Sequence, residues 1–195
     1  MSSNPRRLLA APQRRAALIN AAKDAFAERG FAATSMEDVA AVAGVSRLIV
    51  YRHFDSKEEL YDVVVAETAD LLIRALRNSQ TEPGGQVAFA ALLSVARADP
   101  NGFTVLWQHA TREPQFAAHA DGFRGPAVAF VRTLLTRAGL TGTRLTWAAE
   151  TLLSFAVDAV THWVAIEPPE RDHELLELMA ASMPLMIGAW TNQTR

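Results

Sequence analysis

The chain has 195 residues, of which 50% are apolar and 21% are charged, a balance typical of a folded globular protein. It contains no cysteine, which excludes disulfides, thiolate zinc sites and thiol nucleophiles. The net charge is −2, but residues 1–57 hold nine basic and five acidic residues (+4), and the remainder carries −6. A basic head on an acidic body indicates a polyanionic partner for the head, although a chance fluctuation of solvated charge gives the same pattern.

No secretory or membrane-spanning segment is expected. The first fifteen residues are basic but lack the long apolar stretch of a signal peptide. The longest late apolar run, 178–190, is too short to cross a bilayer. We therefore predict a soluble cytoplasmic protein.

Two helices are predicted in the first 43 residues. Apolar residues at helical spacing predict a first helix over 12–29, and Gly30 suits its end. Ser35 is followed three residues later by Asp38, the pattern of a capping box that starts a second helix. Gly44 is expected to end that helix because it tolerates the positive φ of a tight turn.

Two further helices follow the glycine turn. Ser46 is expected to cap a short third helix over 47–54. Asp55-Ser56 is expected to cap a long fourth helix over 57–78. Two short helices joined by a tight glycine turn are the pattern of a helix-turn-helix, although an ordinary helical hairpin with a solvated polar face is the alternative.

The third helix carries the predicted DNA-reading face. With Val50 pointing inward, Arg47, Leu48 and Tyr51 lie on a face that is free to enter a major groove. Arg47 suits a guanine edge or a phosphate, and the other polar residues suit mainly phosphates. The residues predicted to contact DNA are Arg14, Arg15, Thr34, Ser35, Ser46, Arg47, Leu48, Tyr51, Arg52, His53 and Lys57.

The segment TSMEDVAAVAGVSRLIVYRHFDSKEELYDVV, residues 34–64, resembles the DNA-binding segment of TetR-type transcriptional regulators. The resemblance covers about residues 12–65, whereas the rest of the chain is similar only in being helical and of the usual length. It implies an all-α regulator that binds an operator as a homodimer and has a pocket for an effector. Members often have a small and a short polar residue where this chain has Leu48 and Ile49. We therefore expect Leu48 to contact thymine methyls and Ile49 to pack on the first helix.

A Pro/Gly-containing break at 79–86 is followed by five apolar stretches with helical character. Pro126 and Pro184 fall inside two of them and are expected to start or kink a helix. The predicted helices are 87–98, 101–111, 115–138, 143–166 and 170–190.

The helix over 145–166 is apolar over about 200° of its circumference, whereas a surface helix needs about 100°. The last helix is also rich in apolar residues, so we predict that the two form a four-helix dimer interface. A large monomeric core is the alternative. The predicted interface residues are Leu152, Ala156, Val160, Trp163, Leu176, Met179 and Met183.

Aromatic and aliphatic residues spread over the body helices predict either plain core packing or a pocket for an apolar or aromatic effector. Gln108, His109 and His119 are candidate polar groups in such a pocket. The predicted pocket residues are Leu72, Phe89, Phe103, Leu106, Trp107, Phe123 and Phe155.

Catalysis is the competing class of function, but no phosphate-binding glycine loop, zinc-protease motif or nucleophile elbow is present. Asp158 and His162 lie one helical turn apart and could bind a metal, but a solvated helix face explains them better. We predict no catalytic residue, no metal site and no cofactor. An architectural DNA-binding protein without a ligand is a third possibility.

These observations predict an all-α protein of three parts. Residues 1–56 form a helix-turn-helix head, in which 1–11 is a flexible arm, 57–78 a connector helix, and 79–195 an effector-binding and dimerisation domain. The predicted function is that of a dimeric repressor, which binds a pseudo-palindromic operator and is released by a small apolar or aromatic effector.

Overall fold

The computed structural model describes residues 11–78, 85–109 and 117–191, and every regular element in these ranges is helical. Residues 1–10 of the predicted arm, the centre of the 79–86 break and the segment between the predicted helices 101–111 and 115–138 lie outside the described residues. The helices are α1 (Ala11–Ala33), α2 (Met36–Ala43), α3 (Arg47–Tyr51), α4 (Lys57–Asn78), α5 (Gly85–Ala98), α6 (Pro100–Thr104), α7 (Ala117–Arg137), α8 (Gly142–Ile166) and α9 (Asp172–Thr191). A π-helical turn, Val105–His109, extends α6, and a 3₁₀ turn, Pro169–Arg171, precedes α9.

The predicted helix boundaries in the head are largely confirmed. The backbone leaves the helical region at Gly30, with φ 75° and ψ 172°, before one more turn completes α1. Ser35 and Asp38 form the capping box, and their mutual hydrogen bonds lower the pKa of Asp38. Gly44 adopts the left-handed conformation, with φ 65°, and closes α2.

The recognition helix α3 is shorter than predicted, because it ends at Tyr51 instead of residue 54. Ser46 occupies its N-cap position, but its side chain makes no capping hydrogen bond, contrary to the prediction. Val50 is fully buried, as predicted, and anchors this short helix to the rest of the head.

The head and the body share one hydrophobic core. Phe26, Phe31 and Tyr61 pack ring against ring, and this cluster is continuous with the interior of the body helices. Helix α1 packs against α6 and the π-helical turn as well as against α2 and α4. The orientation of the head is therefore set by contacts along the whole of α1 and not by α4 alone.

The two internal prolines do not end their helices. Helices α7 and α9 continue through Pro126 and Pro184, respectively, and both prolines are exposed. On an exposed face, water can satisfy the carbonyl that a proline leaves without a donor. In the described part of the chain, no helix is long and apolar enough to span a membrane.

Candidate nucleic-acid interface and internal cavity

The exposed side of α3 presents a cation next to an aromatic ring. The guanidinium of Arg47 lies 5.0 Å from the ring centroid of Tyr51 and donates a 3.3 Å hydrogen bond to its hydroxyl. Arg47 also forms an ion pair with Glu37 of α2. The hydrogen bond to Tyr51 and the charge of Glu37 raise the pKa of Arg47, so this residue remains a cation at any physiological pH.

Glu37 is a residue that sequence reasoning missed as part of this face. The carboxylate of Glu37 lies beside Arg47, which is predicted to contact DNA. An anion is not expected on a surface that binds phosphates. The ion pair between Glu37 and Arg47 could be predicted only if the relative orientation of α2 and α3 were known.

Leu48 is an exposed apolar residue of the recognition helix. At about 100° per residue, Leu48 lies about 160° around the helix from the buried Val50. Its exposed fraction is 62%, and Ile49 is half-buried. The contacts predicted for them, with thymine methyls and with the first helix, stay predictions. An isobutyl side chain thus occupies the centre of the face that the head turns outwards.

The remaining predicted contacts fall into two groups. Arg52 and Ser46 are exposed, and Arg14, Ser35 and His53 are half-buried. The guanidinium of Arg15 lies over the ring of Phe54, at 4.9 Å from its centroid. All of these residues are accessible to a polyanion, and their contact with DNA stays a prediction.

Two predicted contacts are engaged inside the protein. Thr34 is 2% exposed and its hydroxyl donates to the carbonyls of Ala25 and Gly30, so its side chain cannot reach a phosphate. The ammonium of Lys57 donates to the carbonyls of Phe31 and Thr34, both at 2.9 Å. Lys57 therefore secures the start of α4 against α1 and has one N–H left for a phosphate.

A buried polar cluster joins the head, the connector and the body. The ammonium of Lys23, on α1, lies 2.7 Å from Oδ2 of Asp99, which also accepts a 3.2 Å hydrogen bond from Thr68 of α4. The other oxygen of Asp99 caps α6 through the backbone N–H of Gly102, at 3.0 Å. A Cβ at Gly102 would lie 2.2 Å from Asp99 and 2.4 Å from Thr68, so only glycine permits this close approach. The sequence places Asp99 between two predicted helices, 87–98 and 101–111, but gives no sign of its partner 76 residues earlier.

A second polar cluster fixes the start of α9. Arg97, on α5, donates to both carboxylate oxygens of Asp172 and to the carbonyl of Glu167 at the end of α8. Trp163 adds a 3.0 Å hydrogen bond from its indole nitrogen. The hydrogen bonds from Arg97, supported by that of Trp163, lower the pKa of Asp172 despite its partial burial.

The body encloses an apolar cavity of about 230 Å³. Helix α4 contributes Leu72, Ile73 and Leu76, and every described lining residue is apolar. The cavity adjoins a wider groove of about 650 Å³, with which it shares Phe89 and Met183. An apolar lining of this kind favours the binding of apolar molecules.

The predicted pocket residues are only partly brought together. Leu72, Phe89 and Trp107 line the cavity, and Trp107 lies on the π-helical turn that continues α6. Phe103 and Leu106 are buried in the core and line neither the cavity nor the groove. Gln108 lines neither space, and the side chains of His109, His119 and Phe123 lie outside the described residues.

Phe155 was wrongly assigned to the pocket, because it is 41% exposed on the outer side of α8. The opposite error was made for Leu152, Ala156 and Val160, which were predicted to form a dimer surface. They are buried within the single chain, and the first two line the cavity. The physical reason is that α8 packs between α5 and α7, so its wide apolar face is covered by its own chain.

The exposed apolar residues of the last two long helices lie elsewhere. Trp147, Phe155 and Ile166 follow the outer side of α8, and Leu178 and Leu185 lie two turns apart on α9. Of the predicted interface residues, Trp163, Leu176, Met179 and Met183 are half-buried. Within the described ranges, no cluster of acidic and histidine side chains is arranged to hold a metal.

These features define a class: a helix-turn-helix protein whose helical body encloses an apolar cavity. A family model described as bacterial regulatory proteins, tetR family, matches residues 18–64. The transcriptional activator FasR of Mycolicibacterium smegmatis is 30% identical over 164 residues, which cover 80% of this chain and 75% of FasR. The chain belongs to the tetR family of bacterial regulatory proteins. It is a DNA-binding transcriptional regulator and not an enzyme.

Solved structures share the fold at lower sequence identity. A TetR-like transcriptional regulator from Rhodococcus superposes with a TM-score of 0.71 at 22% identity, covering 90% of this chain and 98% of that one. The structure of AibR in complex with isovaleryl coenzyme A and operator DNA gives a TM-score of 0.67 at 19% identity, with 85% and 95% covered.

Proposed function

We propose that the protein is a cytoplasmic, ligand-responsive repressor that binds a pseudo-palindromic operator as a homodimer and is released by a small apolar or aromatic effector. The observation that carries this proposal is the position of α4. The ammonium of its first residue, Lys57, donates a hydrogen bond to the carbonyl of Phe31 in the head. Leu72, Ile73 and Leu76 of the same helix line the cavity. One rigid helix thus connects the space for a ligand to the surface for DNA.

The nature of the effector follows from the lining of the cavity. Among the described lining residues none is charged and only the indole N–H of Trp107 can form a hydrogen bond, so the buried part of a ligand is expected to be mainly hydrocarbon. The adjoining groove offers Gln86 and Glu177 as polar residues. A molecule with an apolar end and a polar end fits both spaces, and the isovaleryl coenzyme A named for AibR is of that kind.

The dimer is proposed to form through the exposed apolar residues of α8 and α9. Phe155 and Leu185 replace the buried positions that the sequence suggested. A two-fold dimer would place its heads on two half-sites, and they bind together only if they are one helical turn of DNA apart, about 34–36 Å. A ligand that tilts α4 would change this spacing and weaken both half-site contacts at once.

The test is a binding cycle with the duplex that flanks the gene of this protein. Acyl thioesters, steroids and planar aromatics are screened for release of the duplex in a fluorescence anisotropy assay. For any compound that releases it, linkage requires the duplex to weaken ligand binding by the same factor. Equal ligand affinity with and without the duplex would refute the coupling, and absence of specific duplex binding would refute the proposal as a whole.

Activation is a second candidate for the direction of regulation, because FasR is named a transcriptional activator. Transcription in vitro from the flanking promoter distinguishes the two. A repressor lowers the amount of transcript when it is added without a ligand, whereas an activator raises it.

A further inference from the structure

The centre of the reading face is apolar, and its neighbouring cation is already paired. Leu48 projects directly away from the buried Val50, with 62% of its surface exposed. Arg47 is held to one side by Glu37 and by the hydroxyl and ring of Tyr51. To reach a guanine edge, Arg47 would have to leave these partners, whereas Leu48 needs no rearrangement.

Single exposed leucines are common on protein surfaces and need no explanation by themselves. This one lies on the helix that a helix-turn-helix inserts into the major groove. The only apolar group that B-DNA presents in the major groove is the 5-methyl of thymine. The leucine side chain on the exposed face of α3 can therefore make an apolar contact with thymine. It has no donor or acceptor with which to bond the other bases.

We propose that Leu48 is the principal base-reading residue of this regulator, and that it selects thymine through contact with the 5-methyl group. Arg47 then contacts a phosphate or a neighbouring base pair. Its ion pair with Glu37 holds its side chain away from the base that Leu48 contacts. This inference rests on the proposed sequence-specific binding of DNA, and it ranks Leu48 above Arg47, although the sequence predicted DNA contacts for both residues alike.

The experiment uses the full-length protein and a pool of random duplexes, each long enough for two half-sites one helical turn apart. The bound duplexes are selected and sequenced, and each thymine of the selected half-site is then replaced in turn by deoxyuridine. This replacement removes the methyl group and leaves every hydrogen-bonding atom unchanged. At one position it should weaken binding about fourfold per half-site, the factor expected for burial of one methyl-sized group.

The assignment to Leu48 is tested by a double-mutant cycle. The Leu48→Ala variant should bind the thymine and deoxyuridine duplexes equally, whereas Leu48→Met, which keeps an apolar group of similar volume, should retain the difference. Val42→Ala is the matched control, since Val42 is also apolar and is 50% exposed on the neighbouring helix α2. It should discriminate as the parent does.

The outcomes separate this inference from the proposed function. Selection of a specific duplex without any loss on deoxyuridine replacement overturns the role of Leu48 and leaves the proposed function intact. The same holds if Leu48→Ala still discriminates, or if the discrimination is lost in Val42→Ala instead. If no duplex is enriched at all, both the inference and the proposed function fail.

Discussion

Removal of Asp99 is expected to be among the most destabilising single changes in this protein. Asp99→Ala leaves the ammonium of Lys23, whose side chain is 9% exposed, with the carboxylate of Glu67 at 3.6 Å as an ion-pair partner among the described residues. Breaking a buried ion pair from one side costs about 3–5 kcal/mol. Loss of the cap of α6 adds about 1 kcal/mol. The weaker contact to Glu67 recovers part of this, so we expect a decrease of about 4 kcal/mol in the free energy of unfolding.

The reverse change should cost less. In Lys23→Met the carboxylate of Asp99 keeps its hydrogen bonds from Thr68 and from the backbone of Gly102, so we expect a loss of about 3 kcal/mol. The double variant contains neither charge and should lose much less than the sum of the two single variants. The difference, about 2–3 kcal/mol, measures the coupling of the pair.

The measurement is urea unfolding followed by far-UV circular dichroism, at one protein concentration, because the stability of a dimer depends on concentration. Asn101→Ala is the control, since its 2.8 Å hydrogen bond to Asp24 joins the same two helices at an exposed site. It should change the stability by no more than about 0.5 kcal/mol. If the double variant lost as much stability as the sum of the two single variants, within that margin, Lys23 and Asp99 would not act as a coupled pair.

Three further predictions concern assembly, the cavity and acid stability. Phe155→Glu or Leu185→Glu should convert a dimer to folded monomers in light scattering, whereas Leu152→Glu should unfold the chain; dimers that persist in both surface variants would refute the interface. Ala156→Phe should weaken binding of apolar ligands about fivefold or more, the factor for a clash of about 1–3 kcal/mol, with duplex binding unchanged; unaltered ligand affinity would place the ligand elsewhere. The pKa of Asp172 is lower in the folded state, so its stabilisation is complete above about pH 4 and is lost as the pH falls through the folded value. Asp172→Asn should therefore lower the unfolding free energy at pH 7 and flatten its decrease below pH 4, and an unchanged acid limb would contradict this assignment.

The head could be predicted from sequence because its signals are local. The capping box of Ser35 and Asp38 and the positive φ of Gly44 depend on residues within a few positions of each other. The exposure of Leu48 and the partial burial of Ile49 could be predicted in the same way, since burial of Val50 fixes the direction of every other side chain on so short a helix. The cap at Ser46, the last turn of α3 and the phosphate contact of the Thr34 side chain were predicted wrongly, and the ion pair of Glu37 with Arg47 was missed.

The sites in the body could not be predicted, because periodicity shows which residues are apolar but not what covers them. Helix α8 has one wide apolar face, and the sequence does not tell whether its own chain or a second copy buries it. Leu152, which was predicted for the dimer surface, therefore lines the cavity, whereas Phe155, which was predicted for the pocket, is exposed three residues further along the helix. The ion pair of Lys23 and Asp99 could not be predicted for a related reason. The two residues are 76 positions apart, and no sequence pattern links them.

The shared core has a consequence for how such regulators diverge and how they can be re-engineered. A chimera that joins this head to a foreign body near residue 56 would separate Phe26 and Phe31 from Tyr61, and Lys23 from Asp99. Exchange of whole heads should thus yield poorly folded hybrids. The exposed positions of α3 contribute almost nothing to that core, so operator preference can drift there one residue at a time while the chain remains intact.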